Sequence, residues 1–152
     1  MGASSSVKSD IRMDIRMENN TYISYAENDL SAEFMHNELL RVGFNMMQGS
    51  YSSDDYNTDD FSRMVKRIMA HSTLVIICIS EKTVVSYHQA IEINSALEST
   101  RHIIYVFTDK DFTPLNTEYL NGFVKYNRWL PAYDEKTTTE ALEALEFSYS
   151  KI

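Results

Sequence analysis

Residues 58–80 decide the fold: Thr58-Asp59-Asp60-Phe61-Ser62-Arg63-Met64-Val65-Lys66-Arg67-Ile68-Met69-Ala70-His71-Ser72-Thr73-Leu74-Val75-Ile76-Ile77-Cys78-Ile79-Ser80. Phe61, Met64, Val65, Ile68 and Met69 recur at i, i+3, i+4, i+7 and i+8, which makes an amphipathic helix. Thr58 or Asn57 caps it, and Asp59 and Asp60 suit the positive end of its dipole. Three polar residues then lead into Leu74–Ile79, which is apolar at every position. Alternation would mean one wet face. A continuous run means a strand covered on both faces, as in a parallel sheet with helices above and below.

The same rhythm extends in both directions. Upstream, Thr21–Tyr25 is β-prone. Asn28 or Asp29 can cap a helix whose Ala32, Met35, Leu39 and Val42 keep helical spacing, and Gly43 stops it. Phe44–Met47 reads as a second strand and Gln48–Asn57 as a loop. Downstream, Ser80–Ser86 reads as a loop. Tyr87–Ser99 reads as a helix with Ala90, Ile93 and Leu97 inward, and His102–Phe107 as a strand. Thr108–Asn121 is irregular and Gly122–Tyr126 is expected as a fifth, short strand. Thr137-x-x-Glu140 has the capping-box pattern for a last helix with Ala141, Leu142, Leu145 and Tyr149 inside. Alternating strands and helices imply an α/β fold: a three-layer, flavodoxin-like architecture around a mostly parallel five-stranded sheet. Ligands on such a sheet bind at the carboxyl ends of the strands, near the switch in strand order. Tyr25–Asn28, Gln48–Asn57 and Ser80–Ser86 converge there.

Composition narrows the function. The chain has 152 residues, 43% of them hydrophobic and 24% charged, about one domain's worth. Residues 1–20 are expected to be a flexible arm and 21–152 the domain. Four glycines leave no G-x-G-x-x-G or Walker pattern. A net charge of −8 opposes nucleic-acid binding. One cysteine and four histidines offer neither a disulfide nor a zinc spacing, and the acidic run at Asp54, Asp55, Asp59 and Asp60 does not fit an EF-hand. No metal is expected. The apolar runs are too short to span a bilayer, and no secretory signal opens the chain.

Four motifs, in order and on the expected elements, resemble the Toll/interleukin-receptor (TIR) domain family. Tyr22-Ile23-Ser24-Tyr25-Ala26-Glu27-Asn28-Asp29 is similar to its opening box. Leu39-Leu40-Arg41-Val42-Gly43-Phe44 is similar to its helix end and second strand, and Ile68–Ser80 to its third-strand stretch. Ser86-Tyr87-His88-Gln89-Ala90-Ile91-Glu92 resembles "S-x-W-C-x-x-E". The resemblance covers roughly residues 20 to 150. His88 stands where the family has tryptophan, Gln89 where it has cysteine, and the loop 48–57 lacks the family's Pro-Gly. Only Trp129 matches its third, Phe-Trp box.

The resemblance implies an NAD+ glycohydrolase or cyclase that releases nicotinamide, with Glu92 as catalytic carboxylate. Cleaving the bond to a cationic nicotinamide develops positive charge on the ribose, much as in glycoside hydrolysis, and a carboxylate stabilises it. NAD+ is then the substrate and no separate cofactor is implied. Ser24, Tyr25, Ala26, Gly49, Ser50, Ser86 and His88 are the expected substrate contacts. Tyr25 would stack on a base, and Gly49 and Ser50 would offer amides to phosphate. Ser24 and Tyr25 equally suit the plain end of a strand, and His88 an exposed helix position. A non-enzymatic signalling or adaptor module of the same fold, acting by TIR–TIR association through the Gln48–Asn57 loop and the Tyr87–Ser99 helix, stays open beside the enzyme; the missing tryptophan favours it. A phospho-acceptor domain does not fit, because Tyr25-Ala26 and Ser80 occupy the places where it needs acids.

Met1-Gly2-Ala3-Ser4-Ser5-Ser6 fits M-G-x-x-x-[ST], the pattern for myristoylation of Gly2. One acyl chain binds membranes only marginally. So short a pattern also arises by chance, and the expectation is a small stand-alone cytoplasmic chain, partitioning weakly to membranes where Gly2 is acylated.

Overall fold

Leu74–Ile79 forms the central strand, and all six of its residues are buried. In the computed structural model, which describes residues 20–47, 58–99, 102–112 and 129–149, it is β3 of a sheet. The other strands are β1 (Asn20–Ser24), β2 (Asn45–Met46), β4 (His102–Phe107) and β5 (Trp129–Pro131). The α-helices among the described residues are α1 (Leu30–Arg41), α2 (Thr58–Ala70), α3 (Tyr87–Glu98) and α4 (Glu135–Tyr149). The strand order is β2-β1-β3-β4-β5 and every pairing is parallel. This is the flavodoxin-like order, whose switch point lies between β1 and β3.

Period-two alternation along β3 divides the core. Leu74, Ile76 and Cys78 pack with Ala32, Met35 and Leu39 of α1 and Ala141, Leu142 and Leu145 of α4. Val75, Ile77 and Ile79 pack with Phe61, Val65 and Met69 of α2 and Ile93 and Ala96 of α3. Burial of each large aliphatic side chain is worth ~1.5–3 kcal/mol, so both faces of β3 hold the layers together. Burial also pushes the Cys78 thiol well above its ordinary range, with the Asp29 charge adding to it; this is an inert core thiol.

Helix ends follow local chemistry. Asp29 caps α1 by accepting the Ala32 amide. Gly43 ends that helix at φ 97°, a conformation that glycine takes without strain. Asn28, also left-handed at φ 66°, tolerates it as a short polar residue.

Several boundaries differ from the sequence expectation. Asn20 belongs to β1 rather than to the arm, and its carbonyl accepts the Thr73 amide. Tyr25 lies just beyond β1, and β2 is only two residues long. Residues 81–85 form a 3-10 helix, not an open loop, because Ser80 and Thr83 build a reciprocal capping box. The last helix starts two residues before Thr137, because Asp134 accepts the Thr137 amide at 2.8 Å and so caps it. The fifth strand is Trp129–Pro131, paired with Tyr105–Phe107. The expected strand Gly122–Tyr126, the loop Gln48–Asn57, residues 1–19 and the Tyr149 side chain lie outside the described residues. Inside α3 the buried stripe is Gln89, Glu92, Ile93, Ser95 and Ala96. Ala90 and Leu97 are only half-buried. The helix is turned so that polar side chains face the end of β1, where partners await them.

Candidate active site

β1 and β3 part at the switch point, and their last paired residues are Ser24 and Ile77. Gln89, fully buried on α3, spans the fork: its Nε2 donates to the Ser24 carbonyl at 3.3 Å and to the Cys78 carbonyl at 2.6 Å. Those two acceptors fix which end of the amide is the donor. Ser86 caps α3 by accepting the Gln89 amide at 3.1 Å. The start of α3 is thus tied both to its own cap and to two strand ends.

Glu92 lies one turn further along and is only 8% exposed. The Tyr22 hydroxyl donates to its Oε2, and the Ser24 hydroxyl donates to its Oε1 at 3.0 Å. Tyr22 and Ser24 share one face of β1 because they are two residues apart. Burial pushes the Glu92 carboxyl up from 4.5 to about 7; the two hydroxyl donors oppose the shift and the Glu27 charge adds to it. An acid that titrates near neutrality and carries two preset donors is characteristic of functional sites.

A second group stands at the rim. Glu27, in the turn after β1, accepts from Ser86 Oγ at 3.1 Å and pairs with His88 Nδ1 at 3.0 Å. Partial burial raises its carboxyl, but its own backbone amide and the donors from His88 and Ser86 outweigh that and hold it below the ordinary value. The ionised oxygen accepts, so Nδ1 carries a proton, and the neutral form of this ring has its lone pair on Nε2. The Phe61 edge meets the His88 ring with centroids 4.9 Å apart and planes at 81°, which sets the ring's orientation.

Of the residues singled out in the sequence, Ser24, Ser86, His88 and Glu92 come together here. Tyr25 does not join them. It points to the opposite face, where its hydroxyl meets His36 Nδ1 at 3.0 Å, and burial, then nearby acids headed by Glu33, push it up to about 12. Ala26 is buried, and its carbonyl accepts the Asp29 amide in the turn before α1. Gly2, Gly49 and Ser50 lie outside the described residues. Tyr22, Glu27 and Gln89 were missed as site residues. The i, i+2 relation of Tyr22 to Ser24 was a usable signal for the first.

A cavity of about 470 Å³ opens further along the same edge, lined in part by Asp29, Ser80, Lys82, Thr108, Lys110 and Tyr133. Glu92 is not in its lining, so the cavity and the carboxylate mark two neighbouring parts of the edge. Among the described residues no cluster of three or more His, Cys, Asp or Glu could hold a metal ion, and no helix is long and apolar enough to cross a membrane.

No curated protein matches the chain at a significant level. The strand order, the buried glutamate on α3 and the four ordered motifs nevertheless converge on one family. Residues 18–112, more than half of the chain, match the family described as "Thoeris protein ThsB, TIR-like domain", and the chain belongs to that family of TIR-like domains.

Proposed function

We propose that this TIR-like domain cleaves the N-glycosidic bond of NAD+, releasing nicotinamide and a linear or cyclised ADP-ribose, as a step in intracellular defence signalling. The observation that carries this reading is the Glu92 carboxyl, buried at the switch point and held at both oxygens by Tyr22 and Ser24. The bond to nicotinamide breaks with its electron pair leaving on the pyridine nitrogen, which becomes neutral. No acid is needed to expel it. What the reaction needs is a fixed negative charge beside the ribosyl cation. Ionised Glu92 supplies one in a site of low dielectric, where such charge acts most strongly. The family name adds a defence context.

The test is nicotinamide release from NAD+ by the purified chain at concentrations that favour assembly. Glu92→Gln keeps volume and removes the charge; loss of one such preorganised group lowers turnover about 10²–10³-fold. A wild-type chain that releases no nicotinamide overturns the proposal.

TIR domains generally associate with other TIR domains, and one observation favours association here as a second activity. Val84, Val85 and Tyr87 are 66%, 83% and 62% exposed beside the site, an apolar cluster of the kind that marks contact surfaces. Light scattering on Val85→Asp separates this from turnover: association falls while the variant stays folded.

A further inference from the structure

Capture of the ribosyl cation poses a problem that Glu92 does not solve. Whether the nucleophile is water or a hydroxyl of the same ADP-ribose, its oxygen must lose a proton as the new C–O bond forms. Both oxygens of Glu92 already accept hydroxyl donors, one from Tyr22 and one from Ser24. Its negative charge is also committed to the cation. A separate acceptor at the mouth of the site would take the proton and leave the Glu92 charge facing the cation.

One is in place. His88 lies four residues before Glu92, on the same face of α3, and leads from the solvent-facing rim to the buried carboxyl. Its side chain is 34% exposed, enough to meet solvent or a ligand. Glu27 holds Nδ1 at 3.0 Å, Ser86 holds the other oxygen of Glu27 at 3.1 Å, and Phe61 packs edge-on against the ring. Among the described residues no hydrogen bond engages Nε2. A carboxylate behind an imidazole fixes the tautomer and balances the imidazolium that forms on proton uptake. The family places tryptophan at this position, and tryptophan has no lone pair to accept a proton.

We propose that His88, oriented by Glu27, accepts the proton of the oxygen nucleophile that captures the ribosyl cation at the Glu92 site. The inference rests on the NAD+-cleaving reading. The C1′–N bond breaks and its electron pair leaves with nicotinamide. The nucleophile's oxygen donates a pair to C1′, and its proton passes to His88 Nε2 and then to solvent. Ser86 and Glu27 are positioning residues: they touch His88 or its partner and take no proton from the nucleophile.

The two halves of the reaction can be measured separately. Nicotinamide is itself a nucleophile that needs no deprotonation. Exchange of deuterated nicotinamide into NAD+ therefore reports cleavage and Glu92, whereas net nicotinamide release also requires proton removal. In His88→Ala, net release falls about 10²-fold, the low end of general-base effects, while exchange stays within about threefold of wild type. Added imidazole restores part of the release. Glu27→Gln keeps the ring in place and weakens charge balance, so release falls about tenfold with exchange retained. Parallel loss of exchange and release in His88→Ala, or no loss in either, overturns the proposal. A wild-type chain that shows neither reaction overturns the NAD+ reading itself, which is a different result from either of those.

Discussion

Among the described residues two carboxylates, Asp29 and Glu92, are buried at the carboxyl edge of this sheet, and they are occupied differently. Asp29, 5% exposed, spends one oxygen on the Ala32 amide at 3.1 Å and the other on the Thr108 hydroxyl at 2.6 Å. It joins the start of α1 to the end of β4, and its contacts explain its burial. Glu92, 8% exposed, caps nothing. It sits within α3, accepts only side-chain hydroxyls from β1, and is pushed up to about 7 by its surroundings. Burial is common to both. The partners separate them: Asp29 accepts a backbone amide at a helix start, which marks scaffold, whereas Glu92 has no such amide and its burial shifts it toward neutrality, which marks chemistry.

The sharpest way to break this contrast is to follow stability against pH. Below pH about 4.5 Glu92 is neutral in folded and unfolded chains alike and has no effect. Between 4.5 and about 7 the unfolded chain ionises while the folded chain keeps its proton. Stability therefore falls as pH rises through that window. Each pH unit between the two values is worth about 1.4 kcal/mol, so the burden above pH 7 is about 3 kcal/mol. Glu92→Gln removes it. Urea melts across pH 4.5–8 should show the variant gaining on wild type by about that amount. A difference that stays flat with pH would mean that Glu92 ionises alike in the folded and unfolded chains and is not set apart by its surroundings. The same ionisation governs turnover: nicotinamide release by wild type should rise with pH through about 7, the value at which burial holds the group.

Asp29 should behave in the opposite manner. Asp29→Ala removes a helix cap, worth about 1 kcal/mol, and a buried acceptor for Thr108, worth about another. Thr108 keeps its weaker bond to the Ile79 carbonyl at 3.3 Å, which limits the loss to about 1–2 kcal/mol. Chemical denaturation measures it. Turnover per folded molecule should stay at the wild-type level, and a loss that exceeds the unfolded fraction would erase the distinction between the two acids.

The sequence exposed the scaffold better than the site, for physical reasons. β3 is legible because a strand buried on both faces must be apolar throughout, and α2 because its stripe keeps helical period. Gly43 is legible because few residues end a helix at positive φ. Glu92 was found through the order of four motifs, not through periodicity. Hydrophobic spacing misled at α3, where it pointed to Ala90 and Leu97 while Gln89, Glu92 and Ser95 are buried. A polar side chain goes inward only when partners await it, and those partners sit on β1 and β3, far away in the chain. Glu27 meets His88 across 61 positions, a separation that no local pattern reports. Tyr22 is legible, since strand alternation places it beside Ser24, whereas the run of consecutive residues 24–26 mixes the two faces.

That alternation supplies the finest test of the contrast, because the chain sends Tyr22 of β1 and Tyr25, just past its end, to opposite faces. Tyr22 donates to Glu92. Tyr25, one face away, bonds His36 at 3.0 Å and packs edge-on against that ring at 5.8 Å. Tyr25→Phe keeps the ring and deletes one half-buried hydrogen bond, a loss of about 0.5–1.5 kcal/mol. Nicotinamide release should stay within about twofold of wild type, less than half a kcal/mol in barrier. Tyr22→Phe instead removes a donor that favours the ionised carboxyl, so Glu92 rises further and the pH profile of release moves to higher pH. Assayed side by side, the two variants ask which face of β1 the substrate meets. Equal effects on release would mean that both faces contribute, and the site would then have to extend across the sheet edge toward α1.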